Sequence, residues 1–151
     1  MSAENVEVVG RYFAGLVRGI NEYWDYPRSY AEAFKRDELD ANGREVLAHM
    51  HPDIRWKNAG GEIYDGRLAC LGGFDGLMQA SQSYSVALEE VVDLGGDRVL
   101  SVVHAEARGR SSGVPGQAYI FCVLTLRDGL IFDHDEYTTR AEALKAVGLA
   151  E

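Results

Sequence analysis

The sequence predicts an α+β domain: helices packed in front of a strongly curved antiparallel sheet. Two observations lead there. Apolar residues recur at three- and four-residue spacing early in the chain, then switch to alternation from Asp53 onward. Turn signals at Gly95-Gly96, "SSGVPG" and Asp128-Gly129 then cut the second half into long strands joined by tight hairpins. Helices first and strands afterwards is the order of an α+β fold, not of alternating α/β units.

Each element has its own signal. Val6, Val9, Tyr12, Phe13, Leu16 and Val17 predict a helix over 3–19, with Gly19 as its stop. "NEYWDYPRSYAEAFKRDELDANG" follows, broken by Pro27 and Gly43, with a short helix around Ser29–Arg36. Its aromatics Tyr23, Trp24, Tyr26 and Tyr30 suit a lid or a dimer interface equally. Asn42 is the expected cap of a helix through "REVLAHM", which Pro52 ends. "IRWKN" reads as a short strand, and "GGEIYDG" as a second strand or a turn. "RLACLGGFDGLMQASQSY" reads as a helical stretch loosened by Gly72, Gly73 and Gly76. Strands follow at Val86–Asp93, Arg98–Arg110, Gln117–Leu126 and Leu130–Tyr137, and "TRAEALKAVGL" closes the chain as a helix. No linker or repeat interrupts 1–151, so one domain is expected, with a pocket at the open end of the sheet.

Composition narrows the partners. The chain is 46% hydrophobic and 26% charged, with a formal charge of −9. Nucleic acid and anionic membrane need clustered Lys and Arg, and Arg108 with Arg110 is the nearest approach to a cluster. No stretch reaches the roughly 20 apolar residues that span a bilayer. The opening "MSAENVEVVG" lacks the basic-then-apolar pattern of a secretory signal, so a soluble cytoplasmic protein is expected. Cys70 and Cys122 lie far apart without a C-x-x-C, which fits free thiols in a reducing compartment.

The densest cluster of chemistry is "FDHDEY", residues 132–137. On a strand, Phe132, His134 and Glu136 share one face, and Asp133, Asp135 and Tyr137 the other. Carboxylates without partners are costly in a core, which puts Asp133 and Asp135 outside. A metal is disfavoured, because its ligands would sit on opposite faces. The H-x-H of His49 and His51 has no third ligand nearby. The same alternation turns Ser101, Val103, Ala105 and Ala107 inward and His104, Glu106, Arg108 and Arg110 to solvent. Both faces of "AYIFCVLTL" are apolar: Ile120, Cys122 and Leu124 on one, Tyr119, Phe121 and Val123 on the other.

"VVGRYFAGLVRG", "HPDIRWKNAGGEIYDG", "GDRVL", "LTLRDGLI" and "EYTTRAEALKAVGL" together resemble the SnoaL-like group of the nuclear-transport-factor-2-like superfamily. The resemblance covers nearly the whole chain. It implies a curved sheet and helices around a conical pocket, and commonly a homodimer. The superfamily includes ketosteroid isomerases, limonene epoxide hydrolases, scytalone dehydratases, polyketide cyclases and non-enzymatic binders, so the site must decide the function. Tyr12 resembles the oxyanion-binding tyrosine of the isomerases. Asn58 and Cys122 stand where their two aspartates would, which argues against that mechanism. Asn58 and Glu136 resemble the asparagine and last-strand aspartate of the epoxide hydrolases. Trp56 stands at their tyrosine, and Val103 and Ala105 replace their Arg-x-Asp. A polyketide-cyclase type of site, with one base in a hydrophobic cup, matches best.

Together these readings nominate Glu136 as base, with His134, Asn58 and Tyr12 as polar partners. Trp56, Tyr64, Phe132, Cys122, Val103 and Ala105 are expected to shape a pocket for a hydrophobic or aromatic small molecule. The expected reaction is a cyclase, isomerase, dehydratase or epoxide-hydrolase-like proton transfer without metal or organic cofactor. The competing expectation is a non-catalytic binder or scaffold.

Overall fold

The structure is a computed structural model that describes residues 2–110 and 113–149. Ser111 and Ser112 of the expected "SSGVPG" turn lie outside the described residues. The elements run α1 Ser2–Glu22, α2 Tyr30–Lys35, α3 Ala41–Ala48, β1 Met50–Lys57, β2 Ile63–Asp65, α4 Arg67–Gln79, β3 Ser81–Gly95, β4 Arg98–Gly109, β5 Pro115–Arg127, β6 Leu130–Tyr137 and α5 Arg140–Ala146. The six strands form one sheet in the order β2-β1-β6-β5-β4-β3. All neighbours are antiparallel except β1 and β6, a parallel pair where an antiparallel sheet was expected. No helix among the described residues is long and apolar enough to cross a membrane.

The main core lies between the concave face and α1, α3 and α4. Val9, Tyr12, Phe13 and Leu16 supply the buried stripe of α1, against Ile54, Val99, Val103, Leu124 and Ile131 from the strands. α5 packs on the opposite face, where Ala143 covers Leu100, Val102 and Val123. The two apolar faces of β5 are thereby explained, since each meets its own helical layer. Asp128 (φ 55°) and Gly129 (φ 74°) make the tight β5–β6 turn, whose left-handed backbone favours these residue types.

Several boundaries move for physical reasons. Gly19 does not stop α1. It lies inside the helix, where the Tyr30 hydroxyl donates to its carbonyl at 3.2 Å and a Cβ would approach that hydroxyl to 2.9 Å. The cap of α3 is Asp40, whose carboxylate accepts from the Gly43 N–H, and not Asn42. Pro52 falls inside β1 rather than ending a helix. It is tolerated because the β1–β6 register shifts between Met50 and Arg55, and β2 pairs only from Arg55 onward. "SQSY" belongs to β3 and not to the preceding helix, so β3 starts five residues earlier than expected.

β3 is one of the two edges of the sheet, and α1 packs along it. The Asn21 amide bridges Val86 in both directions, donating to its carbonyl and accepting from its N–H, each at 3.0 Å. The Trp24 indole donates to the Tyr84 carbonyl. These side chains satisfy backbone groups that no neighbouring strand reaches. Tyr23 is buried and Tyr26 is 75% exposed.

On the convex side, Arg55 of β1 reaches Asp133 (3.2 Å) and Asp135 (3.1 Å) of β6. The two carboxylates face outward as expected, but half-buried and shared by one guanidinium. Burial raises the Asp135 pKa first, and Arg55 pulls it back. An acid whose folded-state pKa lies above its unfolded value costs stability once ionised. Arg55→Ala should therefore lower unfolding stability at pH 7 by about 1 kcal/mol, since the guanidinium is 37% exposed and partly screened by solvent. The deficit should shrink as pH falls through the carboxylate range. Urea unfolding of both proteins at pH 7 and pH 4.5 checks this, and an equal loss at both would show that the arginine acts through packing alone.

Candidate functional site

A cavity of about 550 Å³ opens between the concave face of the sheet, α1 and α4. Its volume lies within the usual range of small-molecule sites. Seven of the sequence-nominated residues line it: Glu136, His134, Asn58, Trp56, Tyr64, Cys122 and Val103. Three do not. Tyr12 lies behind His134, fully buried. Ala105 is packed in the core beside the cavity. Phe132 is displaced by register: Leu126 pairs with Ile131 while Thr125 pairs with Asp133, so Phe132 is the extra residue of a β-bulge. Ile131 takes the interior position instead. The Phe132 ring lies under the Arg127 guanidinium at 3.8 Å and edge-on to His51.

β6 therefore presents His134 and Glu136 to the interior after the bulge. His134 is 1% exposed, and its Nδ1 lies 2.9 Å from the Tyr12 hydroxyl. That hydroxyl has no other partner among the described residues, so its hydrogen points to Nδ1 and the neutral ring carries its own hydrogen on Nε2. Burial first, then Cys70, Cys122 and Glu136, raises the Tyr12 pKa well above its ordinary value, which keeps the phenol a donor. Nε2 lies 3.2 Å from Glu136 Oε2 but off the alignment of a hydrogen bond, so it has no satisfied partner.

Glu136 is held from three directions. The Trp56 indole donates to its Oε2 at 3.0 Å, the Ala59 N–H to its Oε1 at 3.2 Å, and His134 flanks it. A carboxylate, which only accepts, suits that arrangement. Trp56 is fixed in turn by stacking between Tyr64 (4.9 Å) and Phe74 (4.3 Å). Gly73 makes this possible, because a Cβ there would come within 2.7 Å of the indole. Asn58 reaches the cavity edge, but its amide is engaged with Glu62. Its oxygen accepts from the Glu62 N–H at 2.9 Å, and its nitrogen donates to the carboxylate at 3.3 Å. It fastens the β1–β2 turn that delivers the Ala59 N–H.

Cys122 pairs directly opposite Glu136 across β5–β6, and the ligand atoms of Cys122, His134 and Glu136 lie within 4.8 Å of one another. A metal there would require Nε2 to lose its hydrogen to Nδ1, leaving the buried Tyr12 hydroxyl without an acceptor among the described residues. It would also require a Cys122 thiolate. Burial first, then the Glu136 charge, holds that thiol well above its ordinary pKa. Metal binding by the trio would thus need the Tyr12 bond exchanged and the thiol ionised by the metal itself. Elsewhere, His49 sits 3.5 Å from Glu45, and His51 accepts the Asp53 N–H.

The sequence reading missed Phe74 and Tyr84, both of which line the cavity. Phe74 was hidden by the glycines around it. Tyr84 was hidden because "SQSY" carries polar residues at positions that do not display alternation.

The hydrogen-bond direction is testable. Imidazole nitrogen–proton correlation spectra of the wild type should place the His134 ring hydrogen on Nε2, and a hydrogen on Nδ1 would reverse the assignment. Tyr12→Phe should cost about 1–2 kcal/mol in urea unfolding, because it strips the partner from a buried ring nitrogen.

Comparison with known proteins agrees with this architecture. The chain is 18% identical to a protein from Jannaschia sp. CCS1 named as a SnoaL-like polyketide cyclase, over 99% of this chain and 95% of that one, with a TM-score of 0.64. It is 16% identical to TerC, co-crystallised with polyporic acid, over 96% and 98% of the two chains (TM-score 0.60). An LEH-like epoxide hydrolase from M. tuberculosis shares 16% identity over 95% of this chain and 84% of its own (TM-score 0.54). At these identities the likeness establishes the fold. No functionally curated protein matches in sequence. The SnoaL-like domain family matches residues 27–134, well over half of the chain. With the six-stranded sheet and its open cavity already described, the chain belongs to the SnoaL-like domain family.

Proposed function

We propose that the protein is a small-molecule enzyme that moves a proton to and from a carbon beside a carbonyl, with Glu136 as the base. The observation that carries this reading is the Glu136 carboxylate on the inner wall of a largely apolar, solvent-connected cavity, beside a histidine nitrogen that lacks an aligned partner, while the other carboxylate of the wall, Glu62, is engaged by Asn58. Glu136 would take the proton from carbon while the electron pair moves to the carbonyl oxygen as an enolate. His134 Nε2–H would polarise that oxygen or hold Glu136 in place, and the proton on Glu136 would return to carbon at the same or a conjugated position. Atoms balance without an oxidant or a co-reactant. General acid–base transfer of this kind contributes roughly 10²–10⁴-fold. The cavity lining favours a hydrophobic or aromatic ketone. The polyketide cyclase name of one structural neighbour and the polyporic acid bound by another support that substrate class.

One observation favours a non-catalytic binder instead: both oxygens of Glu136 already accept N–H groups, from Trp56 and Ala59. In that reading Glu136 pins the β1–β2 turn to β6 and the cavity only holds a ligand.

The two readings separate in one experiment. Wild type and Glu136→Gln are screened by thermal shift against epoxides, polycyclic ketones and polyketide-like aromatics. Deuterium exchange next to the carbonyl of 2-tetralone is followed by mass spectrometry. The enzyme reading expects ligand-dependent stabilisation of both proteins and exchange reduced at least about 100-fold in the variant. Equal exchange in both proteins, with the variant only melting earlier, would leave the binder.

A further inference from the structure

Tyr84 is the one hydroxyl-bearing side chain of the cavity wall whose role the base and its partners do not explain. It stands on β3 with Val86 and Leu88, facing the main core, while Glu136 stands on β6 with β5 and β4 between them. Its phenol lines the cavity, and its hydroxyl has no hydrogen-bond partner among the described residues. The other tyrosine on the wall, Tyr64, directs its hydroxyl to Glu62 at 3.4 Å.

A phenol that faces a solvent-connected cavity without a protein partner is free to bond a ligand oxygen. The backbone beneath it is unusually well held for an edge strand. Trp24 donates to the Tyr84 carbonyl, and Asn21 grips both backbone groups of Val86 two residues on. The ring is thus presented from a fixed segment, with little ordering left to occur when a ligand arrives. Burial first, then the charges of Glu136 and Cys122, pushes the Tyr84 pKa up to about 12. The phenol therefore keeps its proton at neutral pH and acts as a donor. Tyr84 and Glu136 line the same cavity.

We infer that Tyr84 determines which ligands the cavity accepts: its O–H donates to a ligand oxygen and so orients an oxygenated, otherwise apolar ring system against Glu136. This rests on the cavity being the reaction site, and it deepens that reading by naming the residue that selects an oxygenated ring system over a hydrocarbon. A site built to bond an oxygen discriminates strongly against the analogue that lacks it, because its own buried donor is then left unpaired.

The test uses two bicyclic probes that differ in one oxygen, 2-tetralone and tetralin, with wild type, Tyr84→Phe and Glu136→Gln. Dissociation constants are taken from titration calorimetry or tryptophan fluorescence. Wild type should bind tetralone at least about tenfold more tightly than tetralin. Tyr84→Phe should bind tetralin as wild type does, which shows an intact cavity, and should bring the ratio to within about threefold. Glu136→Gln should keep the wild-type ratio while losing exchange. A wild-type ratio near one, or a ratio that survives Tyr84→Phe, would overturn the assignment while leaving Glu136 as base. Failure of both probes to bind any of the proteins would remove the cavity reading and the role of Tyr84 with it.

Discussion

The bond between the Tyr12 hydroxyl and His134 Nδ1 governs the interior of this protein. It joins the first helix to the last strand across 122 residues of sequence, with both partners essentially out of water. In that setting an unmade hydrogen bond costs far more than a made one contributes. α1 is thereby held in register with β6, the histidine ring is fixed in orientation, and Nε2 is left to face Glu136 and the cavity. Tyr12 does not line the cavity, but its bond sets which face of the histidine is turned toward it.

A second constraint fixes what β6 can offer. Strict alternation would place Phe132, His134 and Glu136 side by side. The bulge at Phe132 breaks that sequence, so Ile131 fills the core and Phe132 moves out under Arg127. The polar pair keeps its inward position because it lies beyond the bulge. β1 runs parallel to this part of β6, pairing Trp56 with His134. The indole is carried to the same level as Glu136, where its N–H reaches the carboxylate. The site is thus a product of register: one extra residue in β6, one shift in β1 around Pro52, and one parallel pairing.

These features explain what could be read from the chain alone. The long strands and the turns at Gly95-Gly96 and Asp128-Gly129 follow from local patterning, whereas turning His134 and Glu136 inward also needed the cost of burying Asp133 and Asp135 and the resemblance of Glu136 to a last-strand acid. The misplacement of Phe132 and the late start assigned to β3 come from bulges and edge pairing, which depend on residues far along the chain. Tyr84 was lost for that reason. Asn21 and Trp24 secure its strand from another element, and nothing within "SQSY" announces them. Asn58 lines the cavity, and its partner Glu62 became apparent only when the β1–β2 turn closed.

The behaviour of α4 bears on why the cavity stays open. Three glycines in one helix weaken it, each by roughly 0.5–1 kcal/mol relative to alanine. Gly73 has a packing reason, because Trp56 occupies the space its side chain would take. Gly72 and Gly76 have none: a Cβ at either would meet nothing within 4 Å, and both line the cavity. Alanine would fit at both positions and would strengthen the helix. A fold optimised for packing alone would be expected to fill that space. Here the helix forgoes stability on the side that faces Glu136, His134 and Tyr84, which leaves bare backbone where a flat ring could lie close. Two polar groups without a hydrogen-bond partner among the described residues, the buried His134 Nε2 and the partly exposed Tyr84 hydroxyl, face that same volume. Unfilled space and unpaired donors coincide, as they should if the occupant that completes both is a ligand.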